Sequence, residues 1–201
     1  MKNREFFNEY INVFLNQNSK LNLISKNDEK FLWEKHIFDS LSIEYFFKNY
    51  GTYSALPLKL LDIGTGGGFP SVPIALAYSD IEVYALDSIR KKINAIENIK
   101  QELNIKNLHP ICNRAENLKE KFDIITSRAV APLKIITEYA LPLLNKDGYF
   151  IAYKSLRTEE EIKDAQKSLK KYNAKVIDII RYDLPLEENH TRNLVVIKSI
   201  S

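Results

Sequence analysis

Cysteine is nearly absent from this chain of 201 residues, where Cys112 stands alone. A single thiol excludes an intramolecular disulfide and any Cys-rich metal centre. The three histidines, His36, His109 and His190, are scattered without metal-ligand spacing, so no metal is expected. Long apolar runs are missing as well: the longest span a few residues, against about 20 for a bilayer crossing. Lys2, Arg4 and Glu5 lead into an amphipathic segment and not into the apolar core of a signal peptide. These absences point to a reducing, cytoplasmic setting without a membrane partner. Glycine is also scarce, with six residues in all.

What is present is ordinary in bulk and uneven in detail. With 45% hydrophobic and 27% charged residues, the composition is that of a folded globular chain, and the length fits one domain. The net charge of +3 conceals a contrast: residues 88–134 hold ten Lys/Arg against five Asp/Glu, whereas residues 51–87 hold one against four. That basic excess can serve a phosphate-rich partner or simply solvate a helix face. Phe7, Tyr10, Ile11, Phe14 and Leu15 recur at helical spacing, as do Phe31, Lys35, Phe38 and Leu41, with Lys35 the polar exception. The first 55 residues therefore read as a helical extension of two or three helices.

From residue 56 onward, short apolar runs alternate with helical periods. The runs are Leu60–Ile63, Ile81–Leu86, His109–Cys112, Phe122–Thr126, Tyr149–Tyr153, Val176–Ile180 and Leu194–Ile197. Between them, Ile89, Ile93, Ile96, Ile99 and Leu103 form one stripe over 88–103, with Arg90, Lys91 and Lys92 largely off it. Thr158 and Glu161 have capping-box spacing, and Pro132 suits the first turn of a helix running to Leu144. Strands alternating with helices imply crossover connections, hence an α/β fold with a mostly parallel, doubly wound sheet. The last two runs lack a helix between them and should pair as an antiparallel edge hairpin. Seven strands so arranged are Rossmann-like.

Four of the six glycines fall within residues 64–68, directly after the first strand. So much glycine costs backbone entropy, and the usual return is close approach of a ligand at the carboxyl end of that strand. The dinucleotide pattern Gly-x-Gly-x-x-Gly fails at Phe69, and the P-loop Lys and Ser/Thr are missing. Gly-x-Gly-x-Gly, the methyltransferase pattern, fits. Asp87 closes the second strand 23 residues after Gly64, where a carboxylate can accept both ribose hydroxyls of a nucleoside. Asp62, just ahead of the glycines, either orients the methionine amino group of S-adenosylmethionine or caps the loop.

Several segments together resemble the bacterial glucose-inhibited division protein B family, the 16S rRNA guanine-N7 methyltransferases. They are Leu21-Asn22-Leu23, Lys35-His36-Ile37-Phe38-Asp39-Ser40-Leu41, Asp62 through Pro70, Pro73-Ile74-Ala75, Leu86-Asp87-Ser88 with Arg90-Lys91-Lys92, Ser127-Arg128-Ala129, and Leu194 through Lys198. The resemblance spans nearly the whole chain and implies the class I S-adenosylmethionine-dependent fold, with 16S rRNA or the small ribosomal subunit as partner. It implies cofactor contacts at Gly64, Phe69, Ala115, Glu116 and Arg128, to which the loop reading adds Gly66 and Asp87. Arg128 would pair the methionine carboxylate or an RNA phosphate. Ser71, Ser155 and Asn193 depart from the family pattern, which commonly has glycine, glycine and histidine there.

RNA contacts are expected at Lys35, His36, Arg90, Lys91, Lys92, Arg114, Lys154 and Arg192, together with Arg128; His36 serves equally well as a structural residue of the lead helices. The strip from Arg90 to Lys92 is expected to point away from the adenosine. Guanine N7 carries a lone pair and no proton, so no general base and no catalytic residue are expected. Residues 126–129 read Thr-Ser-Arg-Ala, without the Asn/Asp-Pro-Pro-aromatic motif that goes with exocyclic-amine methylation. Cys112 lies in the third strand, the wrong place for carbon-5 chemistry, and reads as buried packing. The rivals are a catalytically silent RNA- or ribosome-binding protein and a small-molecule methyltransferase. The protein is expected to be a monomer.

Overall fold

The structure, a computed structural model, describes residues 1–51, 57–188 and 190–200. The expected boundary between helical extension and α/β body, at 55/56, lies outside the described residues. Seven strands form one sheet: β1 (Leu58–Ile63), β2 (Ile81–Asp87), β3 (Leu108–Cys112), β4 (Phe122–Arg128), β5 (Leu144–Lys154), β6 (Ala174–Leu184) and β7 (His190–Ser199). Their order is β3-β2-β1-β4-β5-β7-β6. β1 to β5 run parallel, and β7 lies antiparallel to both β5 and β6. Each expected apolar run is a strand, and the last two make the edge hairpin. β5, β6 and β7 extend well past the apolar runs that announced them. The edge strand β6 buries Tyr182 and Leu184 while exposing Lys175, Arg181 and Asp183, a period-two charge pattern that blunts an open edge.

Helices cover both faces. The helices Ser71–Ala77 and Arg90–Glu102 share one apolar core with the lead helices, while Leu133–Ala140, Thr158–Asp164 and Gln166–Lys171 back the other face. In the helix Arg90–Glu102, Ile93, Ile96 and Ile99 are buried as expected. Ile89 is 41% exposed, because it is the extended N-cap and stands outside the helical stripe. The helix Asn8–Leu21 presents Tyr10 and Phe14 to Phe69, with ring centroids 6.3 and 5.0 Å away. Each such ring contributes about 1.5–3 kcal/mol by burial, which anchors the extension to the glycine loop.

Three local expectations are corrected. Leu32–Phe38 is wound as a π-helix, so residues five apart share a face: Leu32 and Ile37 are buried, followed by Leu41, while Phe31, Lys35 and Phe38 are half-buried. The helix after Pro132 spans Leu133–Ala140 and tightens to a 3-10 turn over Leu141–Leu143, with Pro132 as its extended N-cap. Thr158 and Glu161 form no capping box. The Thr158 hydroxyl donates to the Ser155 carbonyl at 2.6 Å, and Glu161 Oε2 accepts from the Leu133 amide at 2.6 Å, capping a different helix.

Candidate active site

The carboxyl edge of the sheet gathers the residues that the sequence singled out. After β1, Gly64, Gly66 and Gly68 all have positive φ, at 72°, 59° and 94°, where a β-carbon is unfavourable. The Gly64 and Thr65 amides both donate to the Leu86 carbonyl, at 2.8 and 2.9 Å, which ties the loop to the end of β2. A β-carbon on Gly68 would lie 2.6 Å from Val72 Cγ2, so that glycine serves packing. On Gly66 it would meet nothing nearer than the Gly64 carbonyl oxygen at 3.9 Å. Gly66 thus faces open space, as a cradle for a ligand requires. Ser71 is fully buried and its hydroxyl lies 2.5 Å from Thr65 Oγ1, so the departure there stiffens the loop from within.

Two carboxylates flank the cradle. Asp62 is fully buried; Oδ1 accepts from the Thr126 hydroxyl at 3.0 Å, and Oδ2 has no hydrogen-bond partner among the described residues. Burial pushes its pKa from 3.8 up to about 6, with the Thr65 and Thr126 hydroxyls and Arg128 pulling the other way. An unpaired buried carboxylate oxygen beside an open glycine loop fits a cofactor that brings an ammonium group. Asp87 is 8% exposed and accepts from the Gly66 amide at 3.0 Å and the Ile89 amide at 2.9 Å. Each oxygen keeps a lone pair for a hydroxyl donor. Lys92 Nζ lies 3.8 Å from Asp87, so this end of the basic strip turns toward the cradle and not away from it. Past β3, Ala115 is buried in a 3-10 turn while Glu116, Arg114, Arg90 and Lys91 are exposed.

Beside the cradle, a cavity of about 620 Å³ opens between the lead helices and the ends of β4, β5 and β7. Lys35, His36, Lys154 and Arg192 line it together with Arg128, so five of the expected RNA contacts meet here, while Arg90, Lys91, Lys92 and Arg114 do not. Most of its cations are already paired. Lys35 meets Asp28 at 3.0 Å, Arg128 meets Asp39 at 3.0 Å, and Lys154 meets Glu161 at 2.7 Å. Arg192 is the one lysine or arginine of the cavity without a carboxylate partner among the described residues.

Arg128 differs most from expectation. Its Nη1 donates to Asp39 Oδ2 and the Lys35 carbonyl, both at 3.0 Å, Nη2 donates to His36 Nδ1 at 3.0 Å, and its guanidinium stacks 5.3 Å over the Phe69 ring. A guanidinium has no acceptor, so His36 Nδ1 accepts and Nε2 carries the proton. Burial and the neighbouring Arg128 lower the His36 pKa from 6.5 to about 4, so the imidazole is neutral at pH 7. Arg128 therefore joins the lead helices to β4. Phe69 is likewise spent inside, against Tyr10, Phe14, His36 and Arg128. Cys112 is half-buried, with Sγ 3.8 Å from the Ser88 carbonyl. Asn193 Nδ2 donates to the Ser155 carbonyl at 3.1 Å and Thr158 Oγ1 at 3.0 Å, so this side chain ties β7 to the segment that follows β5. Sequence reasoning missed Asp39 and Glu161 as partners of Arg128 and Lys154, and it gave no place to Val130, which lines the cavity. Only the His-x-x-Asp-Ser segment hinted at Asp39.

The strand order, the glycine loop after β1 and the acid closing β2 define a class I S-adenosylmethionine-dependent methyltransferase. Residues 3–197 match the GidB family, described as rRNA small subunit methyltransferase G, and the chain belongs to that family. It is 38% identical over 197 residues to ribosomal RNA small subunit methyltransferase G of Clostridium botulinum, covering 95% of this chain and 80% of that one. The Bacillus licheniformis protein of the same name is 34% identical over 205 residues, covering 98% and 82%. Among solved structures, magnesium protoporphyrin IX methyltransferase from Synechocystis, with bound S-adenosylmethionine, matches with a TM-score of 0.65 at 16% identity, over 98% of this chain and 95% of that one. TYW2 of M. jannaschii, in complex with the same cofactor, gives 0.58 at 17% identity over 80% and 74%. These two likenesses concern the fold. Among the described residues, no helix is long and apolar enough to cross a membrane.

Proposed function

We propose that this chain transfers the methyl group of S-adenosylmethionine to N7 of a guanine in 16S ribosomal RNA, acting as one cytoplasmic domain and as a monomer without a metal. The observation that carries this reading is that the glycine cradle and the cavity share a wall: Val130 lines the cavity and packs against Gly64. Donor and acceptor sites thus lie side by side.

The cofactor supplies an electrophilic methyl group on a sulfonium. Gly64 and Gly66 let the backbone approach it, Asp87 takes the ribose hydroxyls, Ala115 and Glu116 read the adenine edge, and Asp62 Oδ2 takes the methionine ammonium. Lys35, Arg192 and the exposed Arg90, Lys91 and Arg114 face the RNA, while His36 and Lys154 support the cavity wall that they line. In the transfer that the cofactor would supply, the N7 lone pair would take the methyl carbon as the C–S bonding pair returned to sulfur, so no protein group would have to move a proton. The cavity suits that chemistry, because Asp28, Asp39 and Glu161 each already hold a partner within the protein and none is poised as a base. Holding nucleophile and methyl group in line supplies about 7–11 kcal/mol of barrier reduction.

Incubation with labelled S-adenosylmethionine and unmethylated 16S rRNA, free or in small subunits, should yield 7-methylguanosine by nucleoside mass spectrometry. Cofactor binding without transfer to either substrate would leave a silent RNA-binding protein and defeat the proposal.

A further inference from the structure

The loop that follows β4 is held under strain. Ala129 has φ +56°, a left-handed conformation that is unfavourable for a residue with a β-carbon. Such strain persists only where the surroundings over-determine it, and here the restraints are visible. Lys154 Nζ donates to the Ala131 carbonyl at 2.9 Å and pairs with Glu161 at 2.7 Å, while Glu161 accepts from the Leu133 amide at 2.6 Å. Both ends of the 129–133 segment are thus fixed, by β4 on one side and by this relay on the other.

The held loop presents Val130 to Gly64. A β-carbon on Gly64 would overlap Val130 Cγ2 and lie 3.2 Å from Cγ1, so the glycine is required by this contact as well as by its own φ. Yet Val130 is 45% exposed and adds nothing to the core. Its other side lines the cavity, among charged and polar groups. An apolar, β-branched side chain is stiff at χ1 and offers a fixed surface without hydrogen-bonding groups. A strained, tethered loop that spends its hydrophobic residue on a half-open partition serves the space on either side of it.

On the function proposed above, which this inference presupposes, we propose that Val130 is a substrate-positioning residue. It is the apolar wall between cradle and cavity on which the flat face of the target purine packs. The cations around the cavity mouth engage phosphate, which fixes the RNA but does not set the angle of a base. Val130 sets that angle, and Lys154 and Glu161 set Val130.

The test compares Val130→Ala, which removes the wall, with Val130→Ile, which thickens it, in steady-state methylation of 16S rRNA. Positioning predicts that both variants lower kcat, Val130→Ala by ~10-fold, since small misplacements of reacting groups slow transfer steeply. The RNA KM and the calorimetric Kd for S-adenosylmethionine should stay within about twofold of wild type, because a shift of that size is under 0.5 kcal/mol. A merely structural role, propping the glycine loop, predicts instead that cofactor affinity and kcat fall together, and that result overturns the inference. So does wild-type kcat in both variants. Wild-type enzyme on the same RNA is the control: no transfer there overturns the proposed function itself, whereas transfer with unaffected variants overturns the partition alone.

Discussion

Two cationic regions lie along the same edge of the sheet, and they are built in opposite ways. In the cavity, Arg128 and Lys154 are mostly buried, with side-chain exposures of 15% and 11%, and each is locked to a carboxylate and to backbone carbonyls. On the basic strip, Arg90 and Lys91 are exposed, and among the described residues neither has an ion-pair partner. The residue types are the same, but pairing and burial divide the work. Paired, buried cations hold segments of the protein in register; unpaired, exposed ones remain available to phosphate. Lys92, between the two regimes, leans toward the glycine loop, 3.8 Å from Asp87.

The largest effect expected from this division falls on stability. Arg128→Ala would leave the buried Asp39 carboxylate with the Tyr182 hydroxyl, which donates to it at 2.6 Å, and without a countercharge. Removing one partner of such a pair costs about 3–5 kcal/mol, and urea unfolding should show a loss of that size. Arg128→Lys should recover only part of it, because one ammonium cannot replace a fork that reaches Asp39, the Lys35 carbonyl and His36 together. If Arg128→Ala instead unfolds at the wild-type midpoint while cofactor affinity collapses, Arg128 belongs with the exposed cations and the comparison fails.

This division marks where the sequence is readable. The strand centres, the glycine loop and the acid at Asp87 were legible because each depends on local chemistry: apolar runs, backbone angles that exclude β-carbons, a fixed distance along the chain. The strand ends were not. β6 beyond Ile180 continues as Arg181, Tyr182, Asp183 and Leu184, where alternation replaces an apolar run. The cavity was the least legible, because residues 28–39, 128–132, 153–155 and 190–192 meet only through the fold. Charge and position made Arg128 and Lys154 look like ligand contacts, and no local signal announces that Asp39 and Glu161, distant along the chain from Arg128 and close to Lys154 only through a turn, neutralise them. The π-helix belongs in the same class: three-to-four spacing put Phe31, Phe38 and Leu41 on one stripe, and the wider winding buries Leu32 and Ile37 instead of Phe31 and Phe38.

The buried extreme of the comparison is Asp62, and it should respond to pH. Its folded pKa is raised from 3.8 to about 6, so it favours folding fully below 3.8 and that contribution is lost as pH rises through 6. An ammonium-bearing cofactor acts in the opposite direction, since it selects the charged carboxylate. Affinity for S-adenosylmethionine should therefore fall about tenfold between pH 7 and pH 5, and Asp62→Asn should flatten the profile. His36 titrates near 4, outside that window, so it does not mimic the effect. A wild-type profile that is flat by calorimetry would show that Asp62 never meets the ammonium.

The smallest effect belongs to the exposed strip, and there affinity alone is a poor readout. Arg90→Gln with Lys91→Gln should weaken RNA binding modestly and flatten its dependence on salt. The log–log slope should drop by up to ~0.7 for each phosphate of single-stranded RNA no longer neutralised. Neither side chain supports the core, so the unfolding midpoint should hold. Lys92 is left intact, because neutralising it would disturb Asp87 and mix cofactor binding into the result. Arg192→Gln gives the matching measurement from the cavity, where the one cation without a carboxylate partner among the described residues should behave like a strip residue: slope reduced, stability kept. Lys154→Gln should not, since it breaks the pair with Glu161 and loosens the 129–133 segment. If all three variants change the slope equally per charge removed and leave stability alone, pairing within the cavity is incidental, and both regions are one phosphate-binding surface.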